Sequence, residues 1–235
     1  MRVEPHGIDS IMHVVKRGTR GLDIVRDIKD KERFIKTLFL FNDEYSDANL
    51  SRLSSLSLYE RPEHWPEPKP LVRILGWTLL SNHFHILMQE IKEGGIAKFM
   101  QRICGSMSLA YNYKYKEKGS LFQGSYKGKT ITKESHFLYL PFYILVKNTF
   151  EMYPGGLMAA AKNFDKAWQW AIDYEFSSFG AMVKKEKCPT IDDPEKIISK
   201  FFENEKSFKK EAKELLLFHM NSKGKDFKDI MLEKW

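Results

Sequence analysis

The chain has 235 residues, 43% hydrophobic and 14% aromatic, enough to bury one sizeable core and expected to be globular. No run of about 18 apolar residues occurs, the longest candidate being Phe137 to Val146, so no membrane-spanning helix is expected. Lys and Arg outnumber Asp and Glu by 38 to 31, a formal +7, which raises the expectation of a polyanionic partner. The opening MRVEPHGIDS lacks the basic-then-apolar order of a secretion signal. The two cysteines, Cys104 and Cys188, make neither a disulfide framework nor a four-cysteine zinc site, and a cytoplasmic protein is the simple reading.

Ile11 to Lys16 is a short β-branched run bounded by the turn-like Arg17-Gly18-Thr19-Arg20, and reads as a first strand. Asp30 is a candidate cap for a helix whose apolar face is Phe34, Ile35, Leu38 and Phe41. From 44 to 70 the composition turns to Ser, Asp, Glu and Pro, an insertion carrying one short helix at most. Leu71 to Leu80 and His83 to Gln89 flank the polar pair Ser81-Asn82, the pattern of an antiparallel hairpin. A helix is expected from Ile96 to about Lys116, stopped by Gly119, then a strand over Ser125 to Thr132. A further helix runs from Ser135 to about Lys147, with Pro141 expected to kink or restart it. Collected, the order β, α, β, β, α, β, α is that of an α+β, ferredoxin-like (split βαβ) antiparallel sheet with an extra helix. Helices are expected on one face and a site open on the other. Residues 186–235 read as a helical C-terminal extension to a domain spanning 1–185, with a start signal at Asp193-Pro194 and a break at Ser222-Lys223-Gly224.

Two features carry chemistry. In SNHFHIL, His83 and His85 fall two apart on a strand, so both imidazoles point to one face and Phe84 and Ile86 to the other, an arrangement suited to a metal site. The basic stretch holds six lysines from Lys114 to Lys133, Glu117 its only acidic residue, with Tyr113, Tyr115, Phe122 and Tyr126 interleaved. Lysines to follow phosphates and rings to stack bases suit a single-stranded nucleic-acid groove; a solvated helix end followed by a half-buried strand accounts for the same composition.

Five segments, in order, resemble the HUH single-tyrosine transposases, the insertion-sequence and REP-associated enzymes: HVVKRGTRGLDIVRDIKDKERF, GWTLLSNHFHILM, YNYKYKEKGSLFQGSYK, YLPFYILVKN and WAIDYEFSSFG. The resemblance covers about His13 to about Phe179. It implies a metal-dependent DNA transposase that cleaves and rejoins single strands at hairpin or palindromic ends. It also implies Tyr143 as the nucleophile, giving a 5′-phosphotyrosine and a free 3′-hydroxyl, and His83 and His85 as ligands of one Mg²⁺ or Mn²⁺. Some family members act as homodimers whose tyrosine helix serves the partner's site, others in cis, and both arrangements stay open here. Tyr139, four residues earlier, is the rival nucleophile; Tyr143 is preferred because Ile144 and Asn148 follow it.

One departure stands out. The family places an asparagine or glutamine one helical turn after the tyrosine, where this chain has Lys147, and Asn148 comes one residue later. Four residues advance an α-helix by about 400° and five by about 500°. Asn148 is therefore the third ligand only if the helix ends or bulges, and Lys147 either opposes a cation or contacts the scissile phosphate. His136 is a weaker substitute ligand, read rather as a solvent or capping residue. Arg17, Arg20, Lys114, Lys116, Lys127 and Lys129 are candidate phosphate contacts, with Tyr115 and Phe122 as stacking platforms. The alternative to an enzyme is a hairpin- or single-strand-binding protein on the same fold that has lost cleavage through the Lys147 change.

Overall fold

The computed structural model describes residues 4, 6–45, 55–222 and 232. Four antiparallel strands, β1 (Ile11–Arg17), β2 (Val72–Leu79), β3 (His83–Glu90) and β4 (Lys127–Thr130), form a sheet in the order β2-β3-β1-β4. This is the ferredoxin-like arrangement, because β3 of the hairpin inserts between β1 and β2 and splits the first βαβ unit. β3 is buried along its whole length, as a central strand covered on both faces must be.

Helices α1 (Ile28–Leu40) and α2 (Gly95–Tyr115) cover one face, closing a core in which Met12, Val14, Ile74, Trp77, Phe84 and Ile86 meet Phe34, Leu38, Phe99 and Ile103. α1 is capped by Asp27, three residues before the expected cap. The Asp27 side chain accepts from the Asp30 amide at 3.1 Å, while Asp30 accepts from the Arg26 amide at 2.8 Å, so two orphan donors are satisfied together. α2 ends at Lys116, which takes the left-handed conformation, before Gly119 is reached. β4 is shorter than the expected 125–132.

The opposite face, expected open, is roofed. α3 (Glu134–Pro141) runs into a π-helical segment, Phe142–Lys147, and then α4 (Asn148–Glu151). α5 (Gly156–Lys162), α6 (Phe164–Ile172), α7 (Phe179–Lys184) and α8 (Glu205–Ser222) follow. Leu75 and Leu87 from the sheet, Phe142 and Leu145 from the π segment, Trp168 from α6 and Phe208 and Leu216 from α8 build a second core there. Trp168 and Trp170 lie on α6 as the anchors of this layer, Trp168 buried and Trp170 packed on Tyr153 and Tyr174. Asp193 opens no regular helix. Its carboxylate accepts from the amides of Ile197, Ile198 and Ser199 instead, and a short 3-10 turn follows at Ser199–Phe202.

No regular helix occurs over 55–70; Asp43 pins that stretch through Arg61 and the Lys69 amide. Residues 46–54, where a short helix was allowed, and the break expected at 223–224 lie outside the described residues.

Candidate active site on the roofed face

Strand register assembles the site. β1 pairs with β3 so that Val15 faces His85 and Arg17 faces His83, and alternation sets His13, Val15 and Arg17 on the same face as the two histidines. Lys127 and Lys129 of β4, opposite Val15 and His13, join them.

His83 and His85 stand side by side with ring centroids 5.0 Å apart. Each uses its Nδ1 toward the protein. His83 Nδ1 donates to the Asn82 side-chain oxygen Oδ1 at 2.6 Å, and His85 Nδ1 lies 2.9 Å from His13 Nε2 with the rings stacked. A histidine oriented through Nδ1 presents Nε2, the arrangement in which ring tautomer and direction are set by a neighbouring group. His85 is held neutral: burial pushes its pKa well below the usual histidine value, and the neighbouring His83, His13 and Lys147 act in the same direction. His13 was missed from the sequence, although strand alternation with Arg17 was a signal that could have found it.

Above these histidines lies Tyr143, fully buried, its ring 5.7 Å from His85, 6.0 Å from His13 and 5.8 Å from Tyr139. The chain there is not α-helical. Pro141 lacks the amide that would continue the ladder, and the six residues after it take i→i+5 bonding, closed by the Asn148 amide donating to the Tyr143 carbonyl. The wider turn brings both the fourth and the fifth residue, Lys147 and Asn148, back near the tyrosine's side of the segment, and the Lys147 ammonium lies over the Tyr143 ring. Thr78 on β2 fixes the segment by donating its hydroxyl to the Ile144 carbonyl at 2.7 Å. Thr78 is itself bridged by Ser177 of the WAIDYEFSSFG segment, which also binds Thr149 at 3.0 Å.

Asn148 is fully buried, and among the described residues neither its amide oxygen nor its nitrogen has a hydrogen-bond partner. An unpaired buried amide costs roughly 1–3 kcal/mol, so its presence calls for a ligand or a functional reason. Lys147, 3% exposed, turns its ammonium over the Tyr143 ring at 4.9 Å and pairs with Glu151 at 2.6 Å. Among the described residues no three His, Cys, Asp or Glu side chains are grouped to hold a metal ion.

The remaining expected contacts are scattered. Arg17 borders a cavity of about 300 Å³ with Asn82, His83 and Glu151. Arg20 is exposed in a turn at φ 55°. Lys129 pairs with Glu4, and Lys116 lies over the Tyr113 ring. Lys114 is tied to Asp27 and Asp30 at the start of α1; although burial opposes its charge, these carboxylates hold it above the usual lysine range. Tyr115 donates to Asp30 and stacks under Arg26. Phe122, expected to offer a base-stacking face, is 3% exposed because its ring packs on Phe84 within the first core and under Lys16. Tyr139 is buried and bonded to His219 of α8 at 2.7 Å. His136 is buried near the start of α3 rather than facing solvent. Cys104 packs on the first core, as expected of a small hydrophobe, and burial pushes its thiol up to about 12.

Residues 68–145 match the family described as "Transposase IS200 like". The matched stretch runs from the start of β2 through both histidines to Tyr143 and stops before Lys147 and Asn148. No curated protein matches the chain. Among solved structures, a REP-associated tyrosine transposase bound to a REP hairpin is similar at 13% identity and a TM-score of 0.43, over 81% of this chain and 90% of that one. No helix among the described residues is long and apolar enough to cross a membrane.

Proposed function

We propose that the chain cleaves and rejoins single-stranded DNA, recognising hairpin or palindromic ends, through a phosphotyrosine on Tyr143; the match of residues 68–145 to the IS200-like transposases supports this reading. The observation that carries this reading is the juxtaposition of the Tyr143 ring with His85 and His13, on a π segment closed by the Asn148 backbone amide.

His83 and His85 through Nε2, with the Asn148 oxygen, would hold one divalent cation, Mg²⁺ or Mn²⁺. The fit rests on two imidazoles each oriented through Nδ1, on the neutral state of His85, and on the orphaned Asn148 amide. Such a cation, when bound, polarises the scissile phosphate and offsets charge developing in the transition state.

The chain's own residues do the rest. The Tyr143 oxygen forms a bond to phosphorus as the bond to the 3′-oxygen breaks; the phenol proton is given up and the departing 3′-oxygen takes one. The ester retains the bond's energy, so a second 3′-hydroxyl reverses the step and joins strands. His13 keeps the His85 ring in place, and Thr78 holds the π turn that carries Tyr143. Arg17, Lys127 and Lys129 supply positive charge along the same face for the flanking backbone, with Arg20 and Lys116 further out.

A labelled single-stranded oligonucleotide carrying a hairpin, incubated with Mn²⁺, is expected to become covalently attached to the protein, and EDTA to prevent it. Hairpin binding insensitive to EDTA, with no adduct under any divalent metal, would favour a non-catalytic binding protein on the same fold.

A further inference from the structure

The buried site meets solvent at the cavity of about 300 Å³ bordered by Arg17, Asn82, His83 and Glu151. That is roughly ten times the liquid volume share of one water, room for a phosphodiester group. Tyr143, His85 and Asn148 are fully enclosed behind it, while Glu151 at the rim keeps 30% of its side chain exposed. The rim charges are of opposite sign: Arg17 suits a nucleic-acid backbone, and Glu151 repels one. Glu151 lies one helical turn after Lys147, and its carboxylate holds the Lys147 ammonium at 2.6 Å. A buried ammonium stripped of its partner is costly, so Lys147 needs an anion at all times.

We propose that Glu151 is an internal stand-in for the phosphodiester: its carboxylate neutralises Lys147 in the free protein, and a backbone phosphate of single-stranded DNA entering beside His83 takes Lys147 over as Glu151 turns out to solvent. This rests on the reading of the chain as a single-strand DNA enzyme and assigns Glu151 to positioning rather than to bond making. Lys147 is accommodated in a site otherwise built for a cation because it arrives with its own counter-charge, and that counter-charge must be displaced when the substrate's phosphate replaces it. Affinity is thereby reduced by the strength of one internal ion pair, and an anion weaker than a phosphodiester is refused.

The test is equilibrium binding of a fluorescent DNA hairpin with a single-stranded flank to the full chain, in EDTA so that binding is read without cleavage. Glu151→Gln is expected to bind on the order of tenfold tighter at low salt, because the amide no longer competes for Lys147. Glu63→Gln, the same charge change on an exposed distant residue, is expected to leave affinity nearly unchanged. Lys147→Met is expected to weaken binding, to flatten the dependence of log K on log salt by about 0.7 for the lost phosphate contact, and to abolish the gain from Glu151→Gln when the two are combined. The proposal is overturned if Glu151→Gln binds no tighter than the parent, if Glu63→Gln gains as much, or if the gain survives in the double variant. The Glu151 and Glu63 comparison stands even where Lys147→Met fails to fold. A parent chain that binds no hairpin overturns the proposal and the enzyme reading together; a parent that binds without the Glu151 effect removes the proposal alone.

Discussion

Replacing Asn148 with leucine separates function from stability at one residue. The side chain is fully buried, and among the described residues neither amide atom has a hydrogen-bond partner. A buried amide in that condition costs about 1–3 kcal/mol, and leucine is close in shape and brings no polar atom to desolvate. Asn148→Leu is therefore expected to raise stability by about 1–3 kcal/mol in metal-free buffer. At this chain length, Tm moves by about 2–4 °C for each kcal/mol. The gain in stability should come with a loss of function, the pattern expected where a strained polar group is kept for its chemistry. The assay is thermal unfolding in EDTA and in Mn²⁺. The parent should gain Tm with Mn²⁺, the variant should start higher and gain less, and covalent attachment of DNA should fall sharply. A variant that unfolds below the parent in EDTA would refute the reasoning, since it would mean that the Asn148 amide is satisfied and contributes to the fold.

Three further outcomes follow from the same geometry. His85 has its folded pKa depressed by burial, so the folded state stays neutral while an unfolded chain takes up a proton below about pH 6.5. Its contribution is fully present above that value and is lost as pH falls, at up to about 1.4 kcal/mol per pH unit until the folded pKa is reached. Denaturant melts between pH 7.5 and 5.5 should show this slope in the parent and a shallower one in His85→Gln. Thr78→Val removes the hydroxyl that donates to the Ile144 carbonyl and bonds Ser177; a loss of about 1 kcal/mol in chemical denaturation is expected, with weaker DNA attachment. Tyr139→Phe loses the bond to His219, and should cost about 1 kcal/mol in the same melts while leaving DNA attachment intact, because the ring that faces His85 and His13 is that of Tyr143.

The parts of the molecule that obey a fixed period were legible in the sequence. β1, the hairpin around Ser81-Asn82, α1 and α2 follow alternation or helical spacing, and their order dictates the split βαβ sheet. His83 and His85 fell on one face by the same rule. What escaped is set by tertiary contact. The helix beginning at Ser135 shows an unbroken apolar run, which does not tell an α turn from a π turn; only the missing amide of Pro141 and the Thr78 hydroxyl waiting at the Ile144 carbonyl decide it. The geometry of Asn148 therefore had to be left open. The roofed face escaped because α5 to α8 are short or charged, with apolar residues such as Ala160, Ala212 and Leu216 that show where they pack only when the second core is assembled. His13 was read as one residue of a strand, since its partnership with His85 spans 72 positions and depends on register. Phe122 sits in a basic aromatic stretch whose composition suits a nucleic-acid groove, yet the bridge between Gly18 and Phe122 turns its ring into the core.

The most direct test of the whole account is the fate of Tyr143. A labelled hairpin oligonucleotide incubated with Mn²⁺ should yield a covalent protein–DNA adduct with the parent chain and with Tyr139→Phe, and none with Tyr143→Phe, although that variant keeps the fold and still binds the DNA. An adduct of undiminished yield on Tyr143→Phe would contradict the account.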